Sequence, residues 1–192
     1  MSIRNPIGLG FTAILGLVIL EVCLQAERPS QPAIPRLVDI TASTGIHFKH
    51  LASPDKKYIV ESMSGGVALI DYDRDGWLDI YFTNAPDVDM QLGGKKARSA
   101  LFHNNHNGTF TDVTDKAGVG YPCWANGAVI GDYNNDGWPD LFVTCFGGVV
   151  LYRNNGDGTF TNTTQEAGLG GDTFWAMGAA FGDYDADGFQ DL

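Results

Sequence analysis

Three nonapeptides in this 192-residue chain place oxygen donors at the same alternating positions: DYDRDGWLD from Asp71, DYNNDGWPD from Asp132 and DYDADGFQD from Asp183. Positions 1, 3, 5 and 9 are Asp71, Asp73, Asp75 and Asp79, then Asp132, Asn134, Asp136 and Asp140, then Asp183, Asp185, Asp187 and Asp191. Position 6 is glycine each time, where a chain wrapping a cation must turn sharply. This is the chemistry of a calcium loop. Ca²⁺ takes six to eight hard oxygens at about 2.3–2.6 Å, and alternate residues of a tight loop can all face one ion. The seventh residues, Trp77, Trp138 and Phe189, complete the candidate metal set.

The elements that must hold these loops are strands. An EF-hand would need a bidentate Glu at position 12, where the first two copies have Phe82 and Val143. Short apolar stretches of small residues precede each loop (GVALI, GAVIG and GAAFG, from Gly66, Gly127 and Gly178), and LDIYFT or DLFVTC follows the first two. Such β-branched or aromatic runs bounded by glycine predict strand-loop-strand, with a metal clasping the hairpin.

The repeat extends beyond the loop. LFHNNHNGTFTDVTDKAGVG from Leu101 matches LYRNNGDGTFTNTTQEAGLG from Leu151 at a spacing of 50, and its middle predicts a second hairpin. Each unit therefore has four strands, and repeats of this length point to a β-propeller, an all-β fold in which each sheet is a blade. Gly66, Gly127 and Gly178, with Ala68, Ala128 and Ala179, suit a crowded innermost strand. The first unit has 22 residues between Asp79 and Leu101 where the second has 11 between Asp140 and Leu151, so it carries an insertion. LVDITASTGI from Leu37 aligns with FTDVTDKAGV and FTNTTQEAGL, predicting an orphan outermost strand that could close a ring. Leu192 falls one residue after the third loop, so the chain reads as a fragment with just over two blades.

GGVALIDYDRDGWLDIYFTN, LYRNNGDGTFTNTTQEAGL and GAAFGDYDADGFQDL together resemble the FG-GAP/VCBS repeat family of integrin-α-like propellers. The branch most resembled is that of cartilage acidic protein and the ASPIC/UnbV proteins. The resemblance covers about residues 37–192. It implies a seven-bladed, calcium-bearing propeller, secreted, periplasmic or on the cell surface, linked to adhesion and to protein or carbohydrate binding. The C-terminal ASPIC/UnbV domain is absent from this sequence, so activity housed there does not carry over.

Composition fits an exported metal-binding protein. Eleven of the 23 acidic residues lie in the loops, and three Ca²⁺ would offset six of the eleven net negative charges. Packed carboxylates repel without a cation, so metal binding should be coupled to folding. With 12 basic residues, the chain lacks the charge that nucleic acid requires.

At the N-terminus, Arg4, an apolar stretch from Ile7 to Leu20 and a cut after Ala26 read as a signal peptide over residues 1–26. Leu24 is imperfect for cleavage, and an uncleaved anchor or a buried helix are the alternatives, although 14 apolar residues fall short of the roughly 20 that span a bilayer. Glu21 and Val22 argue against lipidation at Cys23. Residues 27–36, with Pro29, Pro32 and Pro35, read as an extended linker before the propeller of residues 37–192.

Other chemistry is thinner. His103 and His106 are spaced like metal ligands, yet Arg153 and Gly156 replace them in the second copy, so a solvated hairpin turn is expected. His47 and His50 lack a third ligand, and Ser62 and Ser64 lie in no nucleophile frame. Cys123 and Cys145 flank one hairpin, but Asp132 opposite Asp140 would place Cys145 across from residue 127, which speaks against a disulfide. Trp124 and Trp175, 51 residues apart, are expected to pack between blades rather than line a binding face.

The expectation is a non-enzymatic, exported propeller, with calcium mainly structural, that recognises an extracellular protein or carbohydrate. The insertion from Ala85 to Ser99, with Asp87, Asp89, Lys95, Lys96 and Arg98, is its candidate partner surface. The alternative is the propeller part of a secreted polysaccharide lyase or hydrolase with catalytic residues outside this chain. A rod of thrombospondin-type acidic repeats would lack the apolar strands.

Overall fold

Period-two alternation of apolar residues produces eight strands in two antiparallel sheets. The structure, a computed structural model, describes residues 36–53, 55–56, 58–171 and 174–192. The chain divides into residues 1–39 and 40–192. The expected signal peptide and linker residues 27–35 lie outside the described residues, and residues 36–39 carry no regular structure.

The first blade consists of β1 (Val67–Ile70), β2 (Asp79–Phe82), β3 (Ala100–Asn104) and β4 (Phe110–Asp112), hydrogen-bonded in that order. The second repeats it with β5 (Trp124–Gly131), β6 (Asp140–Phe146), β7 (Gly148–Asn154) and β8 (Phe160–Asn162). Each nonapeptide links the first two strands of a blade, so position 9 opens the second strand. In β2, Asp79 and Tyr81 turn to the buried face while Ile80 and Phe82 are half-buried, as a period of two requires. β6 is buried along six of its seven residues, consistent with a strand covered on both faces.

The blades share one apolar core. Ile70, Tyr72, Tyr81 and Leu101 pack with Leu141, Val143, Tyr152 and Phe160 in a single cluster. The buried phenols also find polar partners: Tyr81 Oη donates to the Val119 carbonyl at 3.0 Å, and Tyr152 Oη accepts from the Tyr121 N–H at 3.1 Å. Where the innermost strands meet, a Cβ on Gly66 would lie 3.0 Å from both the Asn126 carbonyl oxygen and Gly127 Cα, so that approach requires glycine. The Ala125 N–H donates to the Asn84 carbonyl (3.1 Å), and the Ala176 N–H to the Cys145 carbonyl (3.2 Å). The same inter-blade joint is thus made twice.

Two expectations are corrected. No strand forms at Leu37: residues 36–40 are irregular and Thr41–Ser43 form a 3₁₀ turn. Both described sheets already have four strands, so neither offers a third strand for an outer one to join. The second half of the alignment does hold, because Gly45, Gly118 and Gly168 share a left-handed backbone at φ 74°, 77° and 75°.

The second correction concerns the cysteines, which are joined by a disulfide with Cα atoms 6.0 Å apart. Gly131 rather than Asp132 pairs with Asp140, and a bulge between Ala125 and Gly127 moves the register by one more, bringing Ala125 opposite Cys145. Cys123 then lies one pleat away on the same face, and the bulge adds the twist that closes the gap.

The insertion is anchored at both ends, while residues 91–96 between them are exposed. Asp87 caps the one-turn helix Val88–Leu92, accepting from the Met90 N–H at 2.7 Å. Asp89 pairs with Lys56, Arg98 with Asp115 at 2.8 Å, and Ala85, Ala97 and Ser99 are buried. Lys95 and Lys96 remain exposed.

Candidate metal centre

All three nonapeptides adopt one backbone. Position 6 is left-handed as expected, with Gly76, Gly137 and Gly188 at φ 88°, 87° and 89°. Position 4 is left-handed too, in Arg74, Asn135 and Ala186 at φ 56°, 58° and 62°. Side-chain type did not reveal this second reversal, since only Asn among the three favours that region.

The same hydrogen bonds close each loop. The position 1 carboxylate accepts from the position 6 N–H at 3.1, 2.8 and 3.0 Å. The position 5 carboxylate accepts from the position 7 N–H of Trp77, Trp138 and Phe189 at 2.8, 2.9 and 2.8 Å. The position 9 carboxylate accepts from the position 2 N–H of Tyr72, Tyr133 and Tyr184 at 3.3, 3.2 and 2.7 Å. Oxygens not engaged by these bonds are gathered on the concave side of a tight turn. Ligand atoms of Asp71, Asp73 and Asp75 lie within 4.8 Å of one another, as do those of Asp183, Asp185 and Asp191.

Asp79 and Asp140 are the deepest members of the set, with no solvent exposure. The other oxygen of each accepts from the N–H of an asparagine on the third strand, Asn104 or Asn154, at 2.7 Å. Burial pushes both carboxyls up to about 6, against the pull of those N–H donors. Asn104 and Asn154 were missed by the motif. Their only sequence signal is the repeated NN of LFHNN and LYRNN. Asn154 also donates to the Tyr72 carbonyl at 2.8 Å, so the first loop is braced by the second blade. Arg74 of the first loop lies over the Trp138 ring at 5.3 Å, and the Asp132 N–H donates to Gln190 of the third loop at 2.8 Å. The three loops therefore run side by side.

The residues fit a hard cation. Asp71 Oδ1 and Asp73 Oδ1 are buried without a hydrogen-bond partner, a costly arrangement for a carboxylate unless a cation answers it. In the second loop the Asn134 amide instead donates to Asp136 at 2.7 Å, so that loop carries one negative charge fewer.

The hairpin tip is exposed, as expected, but His103 and His106 also reach the first loop. The β3–β4 hairpin folds over the first loop, so His103 Nδ1 lies 3.2 Å from Asp79 Oδ1 and 3.5 Å from Asp73 Oδ2. His106 Nε2 contacts Asp75 Oδ2 and its ring stacks on Trp77 at 5.1 Å. Repeat comparison hid this because the second blade has Arg153 and Gly156 there. Desolvation would raise Asp75, but the Trp77 N–H and His106 outweigh it and hold its carboxyl below the usual range.

The remaining candidates lie elsewhere. His47 and His50 are exposed. His50 Nε2 is 3.2 Å from Ser64 Oγ, whose hydroxyl donates to the Glu61 carbonyl at 3.0 Å. Trp124 is buried, as expected for packing, whereas Trp175 is 40% exposed and meets Phe146 edge-on at 5.5 Å.

The FG-GAP-like repeat model matches residues 71–143 and again residues 132–192, each match opening on one of the nonapeptides. The chain belongs to the FG-GAP-like repeat family. No curated protein matches it. The two four-stranded sheets are FG-GAP blades of a partial propeller, and the nonapeptides are the loops that join the first two strands of each repeat.

Proposed function

We propose that this FG-GAP protein is an exported calcium-binding propeller module that recognises a protein or glycan ligand, with calcium mainly structural. One observation carries the calcium reading: three loops share left-handed positions 4 and 6, the first and third gather three carboxylates within 4.8 Å, and the first leaves Asp71 Oδ1 and Asp73 Oδ1 buried without a partner. Asp71, Asp73, Asp75 and Asp79, with the corresponding residues of the other loops, would hold the ion. When bound, calcium supplies positive charge that offsets carboxylate repulsion. A structural role follows from the bracing, since the loops contact one another and the neighbouring blade.

Two features support recognition outside the metal loops. A cleft between the insertion and the second blade is lined by Gln91, Lys96, Tyr121, Phe146 and Val149, a mixture of aromatic and polar groups suited to a sugar or an extended peptide. The disulfide at its floor suits an oxidising compartment, which supports export.

Terbium luminescence tests the calcium reading, because Trp77 and Trp138 sit within the loops as sensitisers. Calcium-displaceable emission is expected, and its absence would overturn the reading. Screening the protein on glycan and extracellular-protein arrays, with Lys96→Glu and Tyr121→Ala as controls, tests the recognition reading. Binding that is unchanged in both variants would exclude this cleft.

A further inference from the structure

The two hairpins that overhang the first and second loops share a backbone but not a chemistry. In the second blade the tip presents Arg153, which is exposed, and Gly156, whose Cβ position would lie 2.9 Å from the Trp138 ring. In the first blade His103 and His106 take those places, and His106 adopts the left-handed φ of 62° where Gly156 has 74°. Both imidazoles reach loop carboxylates, His103 from a half-buried position and His106 from an exposed one. His106 is pinned between the Trp77 ring and Asp75 Oδ2. His103 stands edge-on to Tyr72 at 6.0 Å.

His103 Nδ1 is buried and makes no hydrogen bond, although two carboxylate oxygens lie within 3.5 Å. Five buried side-chain atoms among the described residues lack a partner, and three of them, Asp71 Oδ1, Asp73 Oδ1 and His103 Nδ1, meet at this one place. Donor atoms of Asp75, His103 and His106 lie within 4.8 Å of one another. A filled tetrahedral site has its donors about 3.3 Å apart, so closure needs only small side-chain rotations at a hairpin tip.

Two imidazoles and a carboxylate are a poor set for Ca²⁺, which takes oxygen, and a good one for a borderline transition-metal ion. We propose that Asp75, His103 and His106 form a mixed nitrogen–oxygen site for a divalent transition metal of the Zn²⁺ type, specific to the first blade. The site rests on the metal-loop reading only through Asp75, which both share. It gives the first blade a second kind of metal site beside its calcium ligands, one that the second blade lacks because its hairpin offers no histidine.

The test is a Co²⁺ titration of the intact protein after excess calcium has been removed by gel filtration, read by visible ligand-field absorption and by competition with Zn²⁺. The control is the double substitution H103R/H106G, which writes the second blade's hairpin into the first on a backbone already seen to accept it. One Co²⁺ per chain, displaced by Zn²⁺, is expected, with affinity reduced about 100-fold in the double variant, as loss of ligands demands. Terbium emission from the second loop should be unchanged by the substitution. Absorption that is missing in the natural protein, or that persists at the same affinity in H103R/H106G, overturns the proposal. Loss of terbium emission with cobalt binding intact would strike the calcium reading and leave this site standing.

Discussion

The side-chain amide of Asn154, on the third strand of the second blade, donates to the main-chain carbonyl of Tyr72 in the first nonapeptide loop at 2.8 Å. The same amide also reaches the Pro139 carbonyl at 3.1 Å, and its Oδ1 accepts from the Gly156 N–H at 2.9 Å. One buried side chain thus ties two loops and a hairpin tip together, across the joint between blades. The nonapeptide loops are part of the inter-blade contact, not appendages to it.

Asn154→Ala should therefore destabilise more than its repeat partner Asn104→Ala, whose side chain makes two exposed bonds within its own blade, donating to the Leu78 carbonyl and accepting from the His106 N–H. Stranding buried carbonyls at the blade joint is expected to cost about 2–3 kcal/mol. Urea unfolding with saturating calcium measures the difference, and equal losses would show that the joint is not a determinant of stability.

Asp140→Asn should remove calcium from the second loop while sparing the others. The Asp140 carboxylate accepts from both the Tyr133 and Asn154 N–H groups, and an amide can offer only one oxygen to two donors. Calcium stoichiometry by calorimetry is expected to fall by one per chain. An unchanged stoichiometry would remove position 9 from the ligand set.

The metal-free protein should lose stability as pH rises. Asp79 and Asp140 titrate at about 6 in the folded state because burial disfavours their charged forms, against about 3.9 when unfolded. A carboxyl raised in this way contributes fully below pH of about 4 and loses its contribution as pH rises through 6. Melting temperature in EGTA is expected to fall between pH 4 and 7. In calcium the fall should vanish at the upper end, since a cation favours the ionised form. A metal-free profile that rises over the same range would contradict the burial argument.

Cys123→Ser with Cys145→Ser should cost about 2–4 kcal/mol through the freed 22-residue loop. It should leave the second loop's calcium affinity within twofold, because the bridge lies at the far end of the β5–β6 hairpin. Unfolding and calorimetry on the same samples separate the two effects. A large loss of affinity would show that the hairpin transmits strain along its length.

The residues most legible in advance were those whose identity is dictated by local geometry. Glycine at position 6 marks a left-handed turn, carboxylates at alternate positions mark each loop, and short β-branched or aromatic runs bounded by glycine mark strands, so blade order and loop placement could be read directly. The left-handed Arg74, Asn135 and Ala186 were not legible, because the loop imposes that backbone on whatever residue stands there. The disulfide was misjudged for a related reason. Pairing starts at Gly131 rather than Asp132, and one bulged residue, Asn126, then moves Ala125 opposite Cys145; nothing in its side chain announces a bulge.

Local chemistry therefore settles the repeat, its strands and the loops' oxygen donors, since each depends on residues within one hairpin. Relations between segments distant in the chain belong to the packed structure. Thirty-one residues separate His106 from Asp75, and 82 separate Asn154 from Tyr72, yet sheet pairing and blade stacking bring each pair into contact. A repeat comparison sees what its copies hold in common. The histidine hairpin over the first loop is what they do not share, and folding is what carries it to the carboxylates.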